Sequence, residues 1–448
     1  MVNYNEWLCI SSPQTNTCFP KKRIIKGKLF YNGLSFFKKW ESFDSDQNSF
    51  EIQPVGKSLT GGISLIYLDN AATSWPKPEV VYQAADQCLR EYGANPGRGG
   101  HRLSLQAGRM ILETRELLAT LFNIPDSSRI IFTGNVTEAL NLAIKGWLRP
   151  GDHLVMTSME HNAVARPVFG LQELGVSHSV VQCSPEGRLA VRDLEKSLRP
   201  NTRLICINHA SNVTGTIQPL EEIGDLAARK GIPLLVDCAQ TAGVLPIDVE
   251  KCQISLLAFT GHKGLFGPPG TGGLYIAEGI NLRPLKEGGT GSKSELLSQP
   301  EDLPERFESG TPNTSGLAGL GAGVKFILDQ GIDTIRRHEQ ELTRQLLDGL
   351  QRLEGVTIYG PRDYTEQTAV ISLNIEGRDA AEFSFLLDHL FDIATRAGLH
   401  CAPLAHQTLG TLETGTLRLS PGYFNTAEEM NVLLEALHSI VKDQSPGR

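Results

Sequence analysis

The stretch Phe259-Thr-Gly-His-Lys-Gly-Leu-Phe-Gly-Pro-Pro-Gly270 places one lysine, Lys263, directly after an apolar segment and surrounds it with glycines. A lysine amine can form a Schiff base with an aldehyde when it is held beside a ligand crevice, and glycines would leave clearance there. Gly-Pro-rich turns also carry ordinary solvated lysines, so the role of Lys263 depends on the residues around it.

Composition excludes several functional classes. The chain has 448 residues, 40% of them hydrophobic and 21% charged, with a net charge of −8. This predicts two or three globular domains and argues against a nucleic-acid partner, which usually requires a basic excess. The eight cysteines show neither zinc-ligand spacing nor a disulfide pattern, which favours a reducing cytoplasm. No apolar run is long enough to span a membrane, and no signal pattern opens the chain.

Residues 1–65 differ in composition from the remainder, because lysines and arginine alternate with aromatic residues there. Such a mixture could contact a membrane or RNA. We favour the alternative, a poorly ordered amino-terminal extension that activity does not need.

From about residue 128 the sequence alternates short apolar runs with amphipathic stretches, which is typical of repeated βα units. Several runs are apolar throughout, as strands covered by helices on both faces should be. The predicted strands are 129–133, 153–157, 177–182, 204–208, 233–236 and 256–259. The pattern therefore predicts an α/β fold with a mostly parallel central sheet.

A polar residue follows five of these strands. The five are Thr137, His161, Asn212, Asp237 and Lys263. Neighbours in this series lie 24 to 26 residues apart, with one double interval of 51. Ligands of open α/β sheets bind outside the carboxyl ends of the strands, so we expect these side chains to converge on one crevice.

Two of these positions suggest a phosphorylated, nitrogen-containing ligand. The helix opening at Gly134-Asn-Val-Thr-Glu138 offers free N–H groups that suit a phosphate, although an ordinary capped helix would look similar. Asp237 ends an apolar strand, where burial is costly without a cationic or donor partner such as a protonated pyridine nitrogen. It could equally cap a helix. His161 could lie flat against a ring, and Asn212 and Gln240 could donate to a ring hydroxyl.

With these residues in view, the chain resembles the class V aminotransferase family of pyridoxal phosphate (PLP) fold type I, and within it the cysteine desulfurases and selenocysteine lyases. The resemblance runs from about residue 66 to about 443. The matching stretches are Tyr67-Leu-Asp-Asn-Ala-Ala-Thr73, Asn95-Pro-Gly-Arg-Gly-Gly-His101, Thr137-Glu138, Glu160-His161, Ser211-Asn-Val213, Val236-Asp-Cys-Ala-Gln240, Gly261-His-Lys-Gly264, Phe307-Glu-Ser-Gly-Thr-Pro-Asn-Thr314 and Arg396-Ala-Gly-Leu-His-Cys401.

The resemblance implies a role for each of these positions. Lys263 would hold PLP and shuttle the substrate α-proton, Asp237 would pair with the pyridine nitrogen and His161 would stack on the ring. The ring hydroxyl would contact Asn212 and Gln240. The phosphate would contact Thr137, Thr260 and His262, with Thr290 reaching the phosphate of the other subunit in a homodimer. Arg418, helped by Arg396, would bind the substrate carboxylate through a bidentate contact.

Cys401 matches the nucleophile that forms a persulfide in the desulfurases. A lone cysteine is usually an inert buried residue, but a loop with Arg396, glycine and an adjacent histidine favours a thiolate. The implied reaction converts L-cysteine to L-alanine and leaves a persulfide on Cys401, supplying sulfur for iron–sulfur clusters or other thio-cofactors. A selenocysteine lyase, C–S lyase, epimerase or aminotransferase of the same family, with Cys401 a bystander, is the alternative.

The resemblance also implies the domain layout and partners. Residues 81–314 would form the large PLP-binding domain, and residues 66–80 with 315–448 a smaller α+β domain. The active sites would lie at a homodimer interface, and the short loop around Cys401 resembles that of enzymes which pass sulfur to a small acceptor protein.

Overall fold

A computed structural model of the chain describes residues 65–96 and 99–442, together with the backbone of four short strands before them. The chain forms two compact units, Met1–Lys57 and Ser58–Arg448. In the first unit β1 (Leu8–Ser12) pairs with β2 (Thr15–Phe19), and β3 (Leu29–Tyr31) pairs with β4 (Leu34–Phe36), both antiparallel. Most of the extension predicted over residues 1–65 lies outside the described residues, so that prediction is untested.

The second unit begins with the short strand β5 (Ile66–Tyr67) and is built around a seven-stranded sheet. The strands of the sheet are β6 (Ile130–Thr133), β7 (His153–Thr157), β8 (Ser177–Val181), β9 (Thr202–Asn208), β10 (Leu234–Asp237), β11 (Leu256–Thr260) and β12 (Gly272–Ile276). Their order is β6-β12-β11-β10-β9-β7-β8. All six predicted strands are present, with ends displaced by at most two residues, and the mostly parallel sheet is confirmed.

The strand β12 was not predicted from the sequence. It runs antiparallel between β6 and β11, where Gly272 lies opposite both Thr133 and Thr260. Its first two residues are glycines, which are depleted in strands and so hide the strand pattern. A Cβ atom added to Gly273 would collide with the ring of Phe259. The glycines therefore let β12 fit closely between its neighbours.

Helices cover both faces of the central sheet. The α-helices of the whole second unit, including those of its smaller part, are α1 (Glu79–Gln87), α2 (Arg102–Phe122), α3 (Val136–Trp147), α4 (Asn162–Gly170), α5 (Val191–Ser197), α6 (Leu220–Lys230), α7 (Thr314–Gln330), α8 (Ile332–Leu350), α9 (Ala380–Phe391), α10 (Pro403–Leu409) and α11 (Ala427–Lys442). Successive strand residues point to opposite faces, so Val155 joins one core and Leu154 the other. None of the described helices is long and apolar enough to cross a membrane.

A third hydrophobic core belongs to a smaller α+β part, as expected. Its sheet has the order β13-β14-β17-β16, with β13 (Val356–Tyr359), β14 (Ile371–Ile375), β16 (Arg396–Gly398) and β17 (Thr416–Leu419). The two-residue strand β15 (Ile393–Ala394) pairs in parallel with β5, and so ties residues 66–67 to the carboxy-terminal third. Residues of α8, α9 and α11 fill this core. The predicted domain boundaries themselves remain a prediction.

Candidate active site

Lys263 lies in the turn that follows β11, and residues 73–77 hold the backbone of this turn. The carbonyl oxygen of His262 accepts hydrogen bonds from Thr73 Oγ1 at 3.1 Å and from the N–H of Ser74 at 3.0 Å. Ser74 Oγ also donates to the carbonyl of Lys263 at 3.0 Å. Burial lowers the pKa of Lys263 to about 8, although the nearby carboxylate of Asp237 opposes that shift. A larger fraction of this amine is therefore neutral at neutral pH than for an exposed lysine.

The glycines around Lys263 do not leave clearance for a ligand, contrary to the expectation from sequence. A Cβ atom at Gly261 would collide with the side chain of Thr271, and one at Gly264 would lie 2.6 Å from the carbonyl oxygen of Ala242. These glycines instead let the turn pack directly against its neighbours in the protein. Close packing of this kind fixes the backbone from which Lys263 projects.

Asp237 is the last residue of β10 and is buried, and among the described residues its carboxylate accepts one hydrogen bond. Its Oδ1 accepts from the N–H of Ala239 at 2.9 Å. Burial raises the pKa of Asp237, while the hydrogen bond from Ala239 and the charge of Lys263 oppose the rise. A cationic group placed against this carboxylate would lower the cost of its burial.

His161 caps the start of α4. Its Nδ1 accepts from the N–H of Ala163 at 3.0 Å, so Nε2 carries the proton in the neutral ring. Burial lowers the pKa of His161 to about 4, and the charges of Lys263 and Arg166 add to the shift. The ring is therefore a neutral, flat surface at neutral pH.

Two amide side chains donate to backbone carbonyls of the protein. Asn212 Nδ2 donates to the carbonyl of His400 at 2.7 Å, and Gln240 Nε2 donates to that of Ala71 at 3.0 Å. Asn212 is buried, whereas Gln240 is half-buried. Their amide nitrogens thus connect the central sheet to two other segments of the chain.

The start of α3 keeps free N–H groups beside Thr137. Asn135 caps this helix by accepting from the N–H of Glu138 at 3.0 Å. Glu138 in turn accepts from the N–H of Gly134 at 2.7 Å. Within the described residues, the N–H groups of Val136 and Thr137 have no partner, as expected of the first helical turn. Such groups form an anion site.

The other two residues expected near a phosphate flank the lysine turn. Thr260 is buried at the end of β11, with Oγ1 3.5 Å from the carbonyl of Thr271. His262 is half-buried, and burial together with the charge of Lys263 lowers its pKa to about 4. Thr260 therefore keeps most of its hydrogen-bonding capacity, and His262 is neutral at neutral pH.

Cys401 is exposed at the end of a strained loop. His400 and Cys401 both adopt left-handed backbone conformations, with φ of 48° and 58°. Such conformations are costly for residues other than glycine and persist only where the surroundings impose them. Here the carbonyl of Cys401 accepts from the N–H of Asn162 at 2.8 Å, while Asn212 holds the carbonyl of His400.

Two guanidinium groups lie side by side where β16 pairs with β17, because Arg396 is directly opposite Arg418. Arg418 is buried and donates to the carbonyl of Asn212 at 3.1 Å and to Asp69 Oδ1 at 2.6 Å. Its Nε has no partner among the described residues. Arg396 makes no ion pair within the part of the chain that the structure describes. One carboxylate thus faces two positive charges, which leaves a positive excess suited to a carboxylate ligand.

A groove of about 720 Å³ brings three of the predicted residues together. Thr137, His161 and Cys401 all line it. Thr290 instead lines a separate cavity of about 620 Å³ with Gly134 and Glu138 of the same chain. Lys263 and Asp237 are close enough for their charges to interact, because Asp237 raises the pKa of Lys263 and Lys263 lowers the pKa of Asp237.

Sequence reasoning missed three residues that shape this site. Asp69 pairs with Arg418. Glu160, which precedes His161 in the chain, is fully buried, and burial raises its pKa to about 8. Lys77 Nζ donates to the carbonyl of His262 at 3.3 Å. Asp69 and Glu160 stand inside stretches quoted for the family resemblance, which could have indicated them. Nothing local in the sequence indicates the contact of Lys77.

The residues present fit PLP. The buried carboxylate of Asp237 suits a protonated ring nitrogen, and the neutral ring of His161 suits stacking. The free N–H groups of Val136 and Thr137 suit a phosphate. Lys263 supplies an amine with a lowered pKa for the aldehyde. These are the four types of contact that a phosphorylated pyridine aldehyde requires.

Comparison with known proteins shows the family of the chain. A family model described as aminotransferase class-V matches residues 66–433. A probable cysteine desulfurase of Methanothermobacter thermautotrophicus is 37% identical, over 84% of this chain and 94% of its own length. A cysteine desulfurase of Escherichia coli is 34% identical, over 86% and 96%.

Solved structures give the same result. The apo structure of a cysteine desulfurase from Thermococcus onnurineus superimposes with a TM-score of 0.80 at 36% identity, covering 85% of this chain and 95% of that one. A cysteine desulfurase of Escherichia coli, in an S-sulfonic acid form, gives 0.76 at 28% identity, covering 84% and 95%. The chain therefore belongs to the class-V aminotransferase family, within its group of PLP-dependent cysteine desulfurases.

Proposed function

We propose that the protein converts L-cysteine to L-alanine and leaves the sulfur as a persulfide on Cys401. The observation that carries this proposal is the position of Cys401. Its exposed side chain lines the same groove as His161 and Thr137, and two hydrogen bonds to the carbonyls of residues 400 and 401 fix its strained backbone. A cysteine without a function would not require this strain.

The cofactor would be held by the residues already described. Lys263 would bond to it, Asp237 would pair with the ring nitrogen and His161 would cover the ring. Asn212 and Gln240 would contact the ring hydroxyl, and the start of α3 would hold the phosphate with Thr260 and His262. When bound, PLP withdraws electrons from the substrate α-carbon and so eases loss of the α-proton.

The substrate carboxylate would lie against Arg418 and Arg396. The support is the positive excess of this pair, which Asp69 only partly neutralises. A carboxylate held there by a bidentate contact would orient the amino acid toward Lys263 and Cys401. Lys263 Nζ, with its pKa lowered to about 8, would accept and return the α-proton.

Cys401 would take the sulfur directly from the substrate. Its thiol proton passes to solvent, and the thiolate Sγ then attacks the sulfur of the bound cysteine. As the S–S bond forms, the Cβ–S bond of the substrate breaks and its electron pair remains on carbon. Protonation of that carbon completes alanine, and the sulfur stays on Cys401 as a persulfide.

The decisive experiment measures products with and without the Cys401 thiol. Wild-type enzyme supplied with L-cysteine and a reductant should release alanine and sulfide in equal amounts. In a parallel sample without the reductant, mass spectrometry should find one extra sulfur atom on the peptide containing Cys401. Cys401→Ala should abolish both readouts while retaining the visible absorbance of bound PLP. Cys183→Ala is the matched control, because Cys183 is buried and burial raises its pKa to about 11. Undiminished alanine release by Cys401→Ala, or a keto acid as product, would favour another reaction of the family.

We further propose a homodimer and a small sulfur-acceptor protein, acting in the cytoplasm to supply iron–sulfur clusters or other thio-cofactors. Exposed apolar side chains on and beside α1 and α2 support an interface between subunits; they are Val80, Tyr82, Leu89, Leu105 and Leu112. Thr290 would complete the partner's phosphate site. Exposure of Cys401 would let an acceptor thiol reach the persulfide, and the absence of disulfides among the described cysteines suits a reducing compartment.

A further inference from the structure

The strand β6 forms one edge of the central sheet and leads directly into the proposed phosphate site. Its only neighbour among the described strands is β12. A strand offers N–H and C=O groups along both of its edges, so the outer edge of β6 needs partners from elsewhere. After β6 ends at Thr133, the turn 134–135 leads to the free N–H groups at the start of α3. The position of β6 therefore determines where those N–H groups lie.

A side-chain ion pair occupies this outer edge of β6. Arg115 of α2 donates to the carbonyl of Ile130, and Glu308 Oε1 accepts from the N–H of Phe132 at 2.6 Å. Residues two apart in a strand direct their backbone groups to the same edge, so these two bonds lie where a neighbouring strand would pair. The guanidinium supplies the donor, and the carboxylate the acceptor, that such a strand would contribute.

The two charged groups hold each other in a fixed geometry. Arg115 Nη1 and Nη2 donate to Glu308 Oε1 and Oε2 at 2.9 and 3.0 Å, which makes the contact bidentate. The guanidinium also lies 4.3 Å from the centre of the Phe132 ring. The side chains of Arg115 and Glu308 are 5% and 20% exposed, so solvent screens this pair less than a surface ion pair. Glu308 is thereby fixed relative to both α2 and β6.

A second contact from the same part of the chain reaches the other side of the turn. Lys286 Nζ lies 2.6 Å from Glu138 Oε1, and Glu138 Oε2 accepts from the N–H of Gly134 at 2.7 Å. Lys286 also offsets the negative charge of Glu138, which would otherwise repel a phosphate at the start of α3. Residues 286–308 thus contact both the strand that enters the turn and the helix that follows it.

We propose that Arg115 and Glu308 are positioning residues for the phosphate of PLP. They act through the backbone of Ile130 and Phe132, because fixing the end of β6 also fixes the start of α3 two residues later. This inference rests on the phosphate site proposed at the start of α3. It holds whether or not Cys401 is the nucleophile.

The test compares the affinity of the apoenzyme for PLP with its affinity for pyridoxal, which has the same ring and aldehyde but no phosphate. Glu308→Ala should weaken PLP binding about tenfold, the equivalent of one hydrogen bond to a charged group, and change pyridoxal binding by less than about twofold. Glu308→Gln keeps an oxygen that can accept from Phe132 and should recover most of the loss. Glu366→Ala is the matched control, since it removes only an exposed ion pair with Arg188 and should bind both compounds as the wild type does.

An equal loss of affinity for PLP and pyridoxal in Glu308→Ala would indicate a general loosening of the fold and would overturn the proposal. Thr137→Val tests the phosphate site itself. If Thr137→Val loses affinity for PLP and Glu308→Ala does not, the present inference alone is wrong. If both variants bind PLP as the wild type does, the phosphate site at α3 is wrong as well.

A second measurement needs no variant. Because Ile130 and Phe132 direct their backbone groups outward, those of Ile131 face β12. Hydrogen exchange of the wild-type apoenzyme, resolved to single residues, should show the amide of Phe132 as strongly protected as that of Ile131. Rapid exchange at Phe132 would mean that Glu308 does not hold the edge of β6, and would overturn the proposal.

Discussion

The backbone N–H of Asn162 donates to the carbonyl oxygen of Cys401 at 2.8 Å, although the two residues are more than 200 positions apart in the sequence. Asn162 is the first residue of α4, directly after His161. The loop of the proposed nucleophile is therefore fixed to the same turn that presents the ring expected to cover the cofactor. A displacement of either one would shift the other.

We expect Asn162→Pro to slow persulfide formation about tenfold, which corresponds to the loss of one hydrogen bond of about 1–1.5 kcal/mol. Proline is tolerated at the first position of a helix, and the extended backbone of His161 suits a following proline. Helix α4 should therefore persist while only the donor to Cys401 is lost. Single-turnover measurement of alanine formation gives the rate.

The matched variant for this experiment is Asn162→Ala, which keeps the backbone donor. It should react at close to the wild-type rate with an unchanged PLP spectrum. Equal slowing in both variants would mean that the Asn162 side chain, and not the hydrogen bond to Cys401, is responsible.

Lys77 should matter for cofactor binding more than for folding. Its ammonium donates to the carbonyl of His262 and to Ser74 Oγ, yet burial lowers the pKa of Lys77 to about 8. Because the fold disfavours its charged form, Lys77→Met should not lower the Tm of the apoenzyme at pH 7. Its affinity for PLP should fall about tenfold, since one charge-assisted hydrogen bond that positions the lysine turn is lost.

Equilibrium titration with PLP measures the affinity, and thermal melting of the apoenzyme measures its stability. Together they test whether Lys77 affects cofactor binding without affecting folding. Lys77→Arg should recover part of the affinity because it restores a charged donor. Lys325→Met is the control, since Lys325 is exposed and pairs only with Asp329. A parallel loss of Tm and affinity in Lys77→Met would point to a purely structural role.

The packing of the lysine turn predicts that Gly261→Ala is destabilising by about 1–3 kcal/mol, as is usual for an overpacked core. The added methyl group would collide with Thr271, whose hydroxyl is itself bonded to the carbonyl of Pro268 at 2.6 Å. Urea denaturation measures the change. Gly100→Ala provides the comparison, because no atom lies within 4 Å of its added Cβ, and it should be close to neutral. Equal stability of both variants would contradict the packing argument.

Glu160 should make stability depend on pH in a defined direction. Its pKa is raised from 4.5 to about 8 by burial, so between these pH values the folded state binds a proton that the unfolded state has lost. The free energy of unfolding should therefore fall as pH rises through this window, by up to about 1.4 kcal/mol per pH unit from this group. Glu160→Gln should remove that contribution.

Urea denaturation of both apoenzymes at several pH values between 5 and 8 gives their free energies of unfolding. The difference between wild type and Glu160→Gln should fall as the pH rises. Glu173→Gln, at an exposed position, should leave the slope unchanged. A wild-type minus Glu160→Gln difference that is constant with pH would show that Glu160 is ionised in the folded state throughout.

Much of the fold could be predicted because its signals are local. Each central strand is a short apolar run, and such runs persist in any tertiary setting when both faces of a sheet are covered. β12 could not be predicted because its glycines are required by close contact with the neighbouring strands, whereas glycine by itself does not favour a strand. The same holds for Gly261 and Gly264, whose packing role depends on Thr271 and Ala242.

The candidate site divides in a similar way. Lys263 and Asp237 could be located because each follows its own strand, and parallel strands end at one edge of a sheet. The contact of Asp69 with Arg418 and that of Lys77 with His262 could not be found, since they join segments that lie 349 and 185 residues apart. Residue periodicity carries no information over such distances.

The sequence by itself determined six of the seven strands of the central sheet and the positions of the lysine, the carboxylate and the capped helix start. Local backbone preferences and apolar patterning act between residues close along the chain. Only the tertiary structure decided that the left-handed turn at Cys401 lies against α4, and that Arg418, opposite Arg396 in the small sheet, pairs with Asp69. These features arise where distant segments meet, because packing and desolvation depend on which groups become neighbours after folding.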